Sequence, residues 1–365
     1  GWPAPVERVE RWLKNAGLKT RRDAVGNLWG RVDGTDKGKS IVTGSHIDTV
    51  RRGGRLDGAL GIVAGLTAVE SLLESRGNPR RTLEVVAICE EEGSRFATNF
   101  WGSRAITGEI DAVDPEVAAA MRERGLDPRL IATAARTDID TFVELHIEQG
   151  AVLETSGMPV AIVSAIVGTA HLEIVVTGRP DHAGTTPMEL RRDALAASAA
   201  MIHAIESLAR SLGRPAVATV GRLYVEPDQT NVVPGRVVFT VDFRHSDLSA
   251  RAALEARIRS VCSTIGSERS LGVDLRILQQ RSPVPMNREV RAVLAQAAKD
   301  CGAEAPEMVS GAGHDAQILA ARCKVGMLFV PSIGGRSHCP EEATSPRHLE
   351  LGTRVLARSL ELLAY

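Results

Sequence analysis

Apolar positions along this chain follow two rhythms. Val6, Val9, Trp12 and Leu13 fall at helical spacing with Gly17 close behind, which predicts a helix over residues 5–18. Residues 23–31 read as a hairpin-prone strand and 34–39 as a turn. The β-branched run Ile41, Val42, Thr43 predicts a buried strand ended by Gly44 and Ser45. Ile62, Val63, Leu66, Val69, Leu72 and Leu73 then draw an apolar stripe on a helix over 58–74, stopped by Asn78 and Pro79. Residues 82–89 are almost continuously apolar, as in a strand buried on both faces. Two short helical patches follow, at 115–124 and 128–135, and then a strand at 141–145. Strands of this kind alternating with helices predict an α/β fold, with a mainly parallel sheet sandwiched by helices.

Near Ile166 the rhythm changes. Residues 171–177 alternate as a half-buried strand, a helix is expected over 191–212, and strands at 216–225 and 237–244 follow. A helix over 248–265 and a strand near 273–278 complete a meander with two helices, an α+β unit unlike the first half. Residues 166–276 are therefore expected to form an inserted domain within a discontinuous domain of residues 1–165 and 277–365. After Pro283 the helix–strand alternation resumes, with a helix from Arg288, a strand at 326–330 and a last helix to Leu363.

A chain of 365 residues exceeds what one core usually supports, in keeping with two domains. Its 44% hydrophobic and 24% charged residues are those of an ordinary globular protein. A net charge of −1, with no block of like charges, argues against nucleic acid or an anionic membrane as partner. No apolar run approaches a membrane span. The chain opens Gly1-Trp2-Pro3 with no basic and apolar leader. It lacks an initiator Met, so the numbering is expected to begin inside a longer natural chain. Five scattered cysteines without paired spacing read as free thiols in a reducing compartment, which makes the cytoplasm the expected location.

Chemistry concentrates at strand ends. Of nine histidines, His171, His203 and His348 lie where packing or a surface position explains them. His46, His146, His182, His314 and His338 instead sit in Gly-, Ser- or Pro-flanked loops after strands or before helices. Asp48, Asp57 and the run Glu90-Glu91-Glu92 stand in comparable places. Carboxyl ends of parallel strands are where open α/β sheets hold ligands. A mixed set of imidazoles and carboxylates suits Zn²⁺, Mn²⁺, Co²⁺ or Ni²⁺ better than Mg²⁺ or Ca²⁺. Five such ligands with one bridging carboxylate can hold two metal ions, as in hydrolytic two-metal sites.

Eight motifs recur in order: Gly44-Ser45-His46-Ile47-Asp48-Thr49, Leu56-Asp57-Gly58, Glu91-Glu92-Gly93-Ser94-Arg95-Phe96, His146-Ile147-Glu148-Gln149-Gly150, His182-Ala183-Gly184-Thr185-Thr186-Pro187-Met188, Thr230-Asn231-Val232-Val233-Pro234-Gly235, Gly313-His314-Asp315-Ala316 and Ser337-His338. Together they resemble the hydantoinase/carbamoylase family of amidases, relatives of the dinuclear zinc aminoacylases and carboxypeptidases. The resemblance implies His46, Asp57, Glu92, His146 and His338 as ligands of two divalent ions, with Asp57 bridging. It implies Asp48 as the orienter of His46 and Glu91 as general base and acid, although three adjacent glutamates leave that register open by one. His182, Asn231 and Arg244 match residues that grip substrate and steady an oxyanion, with Gln149 and His314 as further contacts. For Arg244 a surface role, for Asn231 a backbone cap and for His314-Asp315 a structural pair stand as alternatives. Arg244 suits a substrate carboxylate through bidentate hydrogen bonds.

The resemblance also implies a homodimer. Its inserted domains pair, and His182 and Asn231 act across the interface as the domains close. An N-terminal segment that walls the family's site is expected to lie outside this sequence. The implied reaction is hydrolysis of a ureido C–N bond on a small carboxylate-bearing molecule, such as allantoate or an N-carbamoyl-L-amino acid, with release of ammonia and carbon dioxide. Phe100-Trp101-Gly102-Ser103 leans towards the allantoate enzymes. An aminoacylase or dipeptidase is the neighbouring alternative. A non-catalytic binding protein is the distant one, since such a chain should have lost ligands or the base.

Overall fold

The computed structural model describes residues 3–95 and 98–365; Gly1, Trp2 and Phe96 of the glutamate motif lie outside the described residues. The chain divides into two compact units, Gly1–Ser164 with Pro285–Tyr365, and Ala165–Val284.

In the first unit, strands β1 (Lys19–Arg22), β2 (Leu28–Val32), β3 (Ser40–His46), β4 (Leu83–Ile88), β5 (Ile139–Ile147) and β6 (Ala161–Ile166) join the strand Lys324–Val330 in one sheet. Their spatial order is β1-β2-β4-β3-β5, then Lys324–Val330, then β6. The centre is parallel: β3 runs with β4 and β5, and Lys324–Val330 runs with β5. The flanks are antiparallel, at β1–β2, β2–β4 and β6. Every residue of β3 and β4 is buried, which explains why Ile41-Val42 in β3 and Val85-Val86-Ala87-Ile88 in β4 run apolar rather than alternating.

Helices Pro3–Asn15, Ala59–Arg76, Arg288–Asp300 and Pro346–Ala364 supply Leu13, Ile62, Val69, Leu294 and Leu356 to the main core. There they meet Ile41, Leu83, Val85, Val143 and Leu328 from the strands. A second cluster gathers Val25, Cys89, Trp101, Met121 and Ile131 beneath the short helices Trp101–Thr107 and Pro115–Arg122 and the 3₁₀ turn Pro128–Ala134. The helix Trp101–Thr107 and the strand β6 carry no clear period of their own in the sequence. The first has only seven residues, and the second packs at the sheet's antiparallel flank.

The second unit is a four-stranded antiparallel sheet, ordered Gly272–Arg281, Gly168–Thr177, Arg236–His245, Val217–Glu226. Alternate residues Leu172, Ile174, Val237, Phe239 and Val241 pack beneath helices Ala194–Leu212 and Leu248–Glu268. The first helix starts three residues later than its pattern suggests. Asp193 caps it, accepting hydrogen bonds from the Leu195 and Ala196 amides. A separate two-stranded ladder joins Asp181–His182 to Val232–Val233. Among the described residues no helix is long and apolar enough to cross a membrane.

Because β3, β4 and β5 are parallel, their carboxyl ends share one edge of the sheet. His46 ends β3, the run from Glu90 follows β4, and His146 lies one residue before the end of β5. Residues far apart in sequence are thus delivered to one place by topology alone.

Candidate metal centre

The Asp57 carboxylate is the hub of that edge. It sits in the loop before helix Ala59–Arg76 and is 4% exposed. Its Oδ1 lies 3.3 Å from His46 Nε2 and 3.1 Å from His146 Nε2, while its Oδ2 lies 3.1 Å from His338 Nε2. His338 Nε2 is also 3.3 Å from Glu92 Oε1. Among the described residues, four donor groups have ligand atoms within 4.8 Å of one another. Glu144 with His146 and His314, and His46 with Glu91 and Glu92, lack the Asp57 carboxylate. Two contain it, His46 with Asp57 and His146, and Asp57 with Glu92 and His338. Only Asp57 belongs to both.

Ring orientation is set from behind. His46 Nδ1 meets the Asp48 backbone carbonyl at 2.9 Å, and His146 Nδ1 meets the Ile147 carbonyl at 2.8 Å. Since carbonyls only accept, each Nδ1 carries a proton, and each Nε2 is turned towards Asp57. Asp48 thus hydrogen-bonds His46 through its main chain, while its carboxylate Oδ1 stands 3.9 Å from the ring and acts on it only through charge. That carboxylate is spent elsewhere: it accepts from the Glu91 amide at 3.0 Å and the Glu92 amide at 3.1 Å. It therefore positions both glutamates. Glu91 and Glu92 lie close to His46, whereas the Glu90 carboxylate accepts from the Arg95 amide at 2.9 Å.

Electrostatics mark the place as one that demands cations. Burial alone would raise the Asp57 carboxyl, but hydrogen bonds from His146, His338 and His46 outweigh it and hold the group far below the usual carboxylate range. The bonds to Asp57 and Glu92 push His338 up to about 10. Burial would lower His46, yet its bond to Asp57 and the charges of Glu91 and Asp48 raise it well above an ordinary imidazole. Glu91 behaves oppositely: burial pushes its carboxyl well up, with His46 opposing and Asp315, Glu92 and Asp48 adding to the rise. A donor set of three imidazoles and two carboxylates around shared space fits borderline divalent ions.

Backbone conformations at the centre are unusual. Glu90, Gln149 and His338 all have left-handed φ, of 54°, 61° and 56°. Such conformations persist only where the surroundings over-determine them, and they gather at functional sites. Gly58 has φ 68°, and a Cβ there would stand 2.4 Å from His46 Nδ1. Gly58→Ala should therefore cost about 1–3 kcal/mol in urea unfolding and weaken metal binding about tenfold or more. Unchanged unfolding together with unchanged metal affinity would show that the loop relaxes freely.

Residues 42–362 match the profile of Peptidase family M20/M25/M40. The chain is 43% identical to the allantoate amidohydrolase of Bacillus subtilis, an alignment covering 100% of this chain and 91% of the relative. It is 40% identical to an N-carbamoyl-L-amino-acid amidohydrolase of Paenarthrobacter aurescens, covering 96% and 88%. The crystal structure of a hydantoinase/carbamoylase family amidase from Burkholderia ambifaria superposes with a TM-score of 0.90 at 34% identity, over 99% of this chain and 89% of that one. The chain belongs to peptidase family M20/M25/M40, and within it to the hydantoinase/carbamoylase type.

In this M20-family chain the remaining sequence-predicted residues fall into two groups. Gln149 joins the metal centre directly, its Nε2 donating to Asp57 Oδ2 at 3.0 Å. His314 is 2% exposed, with Nε2 against Ser310 Oγ at 2.9 Å and its ring edge-on to His146 at 4.6 Å. A ring so enclosed packs behind His146 in this conformation. Burial and the neighbouring His146 keep it well below an ordinary imidazole.

His182, Asn231 and Arg244 belong to the second unit. The two-residue ladder pairs His182 with Val232, and the Ala183 amide donates to the Asn231 carbonyl, so His182 and Asn231 are neighbours. His182 Nδ1 accepts from the Gly184 and Thr185 amides, which leaves the proton on its Nε2. Arg244 is gripped by Asp242 through a fork of 3.0 and 2.7 Å, and His171 Nε2 meets the same carboxylate at 3.2 Å.

Two buried acids in the first unit, Glu144 and Glu342, escaped the sequence reading, and a third, Asp315, entered it only as a structural partner of His314. Glu144 accepts from Ser45 Oγ at 2.6 Å and from the Ala316 amide at 3.3 Å. Asp315 is pushed up to about 7 by burial and by Glu144. Glu342 reaches back to the Asp57 loop. The apolar neighbours Phe142, Val143 and Leu145 around Glu144 in β5 are the one signal that could have exposed it, since a carboxylate inside a buried strand must be partnered.

Proposed function

We propose that this chain is a metal-dependent amidohydrolase that cleaves the ureido C–N bond of a small carboxylate-bearing substrate such as allantoate or an N-carbamoyl-L-amino acid, releasing ammonia and carbon dioxide. The observation that carries this reading is the Asp57 carboxylate faced by three imidazole Nε2 atoms, with the buried Glu91 beside it. The names of the 40–43% identical relatives supply the bond and the substrate class.

His46, Asp57 and His146 would hold one divalent ion, and Asp57, Glu92 and His338 a second, drawn from Zn²⁺, Mn²⁺, Co²⁺ or Ni²⁺. When bound, such a pair polarises a scissile carbonyl and acidifies water. Glu91 takes up the proton of the attacking water and passes it to the leaving nitrogen, a task suited to a carboxyl whose burial raises its proton affinity. Asp48 keeps Glu91 and Glu92 in place through their amides. Gln149 steadies Asp57. The Nε2–H of His182 and the side chain of Asn231 donate to the oxyanion as the carbonyl carbon becomes tetrahedral. Arg244, already planar against Asp242, receives the substrate carboxylate.

Ala165–Val284 serves in this reading as an inserted dimerisation domain that offers His182 and Asn231 to the partner's site. Its outer strands support this, because they expose Leu223, Tyr224, Ile277 and Leu278. Sedimentation as a monomer would remove the dimer from the reading. All five cysteines are unpaired, in keeping with cytoplasmic residence.

The deciding experiment is ammonia release from allantoate and from N-carbamoyl-L-amino acids. Turnover of at least one should vanish on chelation and return with added Mn²⁺, Co²⁺, Zn²⁺ or Ni²⁺. Failure of the metal-loaded protein on both substrates would sink the proposal. The peptidase description of the matched family favours an ordinary amide as second reading. A preference for N-acyl over N-carbamoyl substrates would establish it.

A further inference from the structure

His46 and His146 stand on strands and inherit the rigidity of the sheet. His338 does not. It sits in a loop with left-handed φ, and its side chain is 49% exposed, against 3% and 1% for the other two imidazoles. Something else must hold it opposite Asp57, from which it is separated by 281 positions.

Glu342 has the contacts to do so. It is 3% exposed, and both carboxylate oxygens are occupied. Oε1 accepts from the Leu56 amide at 2.9 Å and from the Asp57 amide at 3.0 Å. Oε2 accepts from Ser337 Oγ at 2.8 Å, on the residue that precedes His338. One carboxylate thus ties the main chain of Asp57 to the neighbour of His338. The turn that returns Glu342 is closed by its own amide, which donates to the Cys339 carbonyl at 3.1 Å. Gly54 makes room, since a Cβ there would stand 2.2 Å from Glu342 Oε1. A buried carboxylate is tolerated only where donors meet it, and charge-assisted bonds of this kind are among the strong ones.

We propose that Glu342 is a positioning residue that fixes His338 against Asp57 and thereby sets the affinity for the second of the two ions, the one assigned to Asp57, Glu92 and His338. This rests on the metal-centre reading above. Asp57 has further anchors in Gln149, His46 and His146, so loss of Glu342 falls chiefly on the His338 side. Residues that orient ligands in this way typically govern affinity by 10–100-fold.

The test is titration of the chelator-stripped full chain with Mn²⁺, counting free ion by electron paramagnetic resonance, with circular dichroism to report folding. The parent chain should take two equivalents. Glu342→Ala should keep one binding step near its parent affinity and weaken the other by about tenfold or more. Glu342→Gln can still accept from both amides and meet Ser337, so it should restore most of the second step. Should Glu342→Ala fail to fold, Ser337→Ala removes the short bond that joins Glu342 to the His338 loop and should weaken the second step more than the first. It also removes longer contacts to Gln149 Nε2 at 3.4 Å and Asp57 Oδ2 at 3.5 Å. Two parent-like steps in the variant that folds, or equal weakening of both, would overturn the role of Glu342. A parent chain that takes fewer than two equivalents would overturn the metal-centre reading itself.

Discussion

Glu91→Gln should lower turnover about 10²–10⁴-fold, the range expected when a positioned acid–base group is lost, while leaving metal content and folding unchanged. The amide is the same size as the carboxylate. The main-chain bond from Glu91 to Asp48 also survives the change. What disappears is a group able to accept and return a proton, and burial has already raised this carboxyl's hold on one. Glu90→Gln is the matched control, because the Glu90 carboxylate accepts from the Arg95 amide and lies outside the donor groups around His46. It should change turnover only a few-fold. Steady-state ammonia release with elemental analysis of each variant separates the outcomes. A collapse in Glu90→Gln with near-normal Glu91→Gln would move the base by one residue.

Asp57→Asn should abolish activity and reduce bound metal from two equivalents to less than one. The Asp57 carboxylate faces the Nε2 atoms of His46, His146 and His338 at 3.1–3.3 Å. No other residue is common to the two donor groups. An amide of equal shape removes the negative charge from the middle of three imidazoles. It also turns an N–H₂ group towards at least one Nε2, so one side chain damages both sites. Elemental analysis after metal-supplemented purification gives the count, and calorimetric titration gives the affinities. Retention of two tightly bound ions would mean that Asp57 is not the bridge. The contrast with Glu342→Ala is informative, since that change should disturb one site and spare the other.

The buried strands could be read directly from the chain because burial on both faces leaves short apolar runs without alternation, as at Ile41-Val42 in β3 and Val85-Val86-Ala87-Ile88 in β4. The change to alternation after Ile166 was equally legible, because a sheet with helices on one face must alternate. Candidate donors such as His46, Glu92 and His146 stood out through their place just beyond those strands. Short elements without a period, such as Trp101–Thr107, did not.

Other features depend on the fold. That the Asp48 carboxylate serves Glu91 and Glu92 while its carbonyl serves His46 follows from how β3 and β4 lie side by side. That His314 is enclosed behind His146 follows from packing around Phe329. The bond from Glu342 to the Asp57 amide spans 285 positions and has no local pattern to betray it. Local sequence encodes which residues form strands and which residue types can bind a metal, since both depend on neighbours a few positions away. Distances between loop residues, the tautomers of their rings and the partners of buried acids depend on chain segments that meet only when the sheet assembles. Those only the tertiary structure could settle.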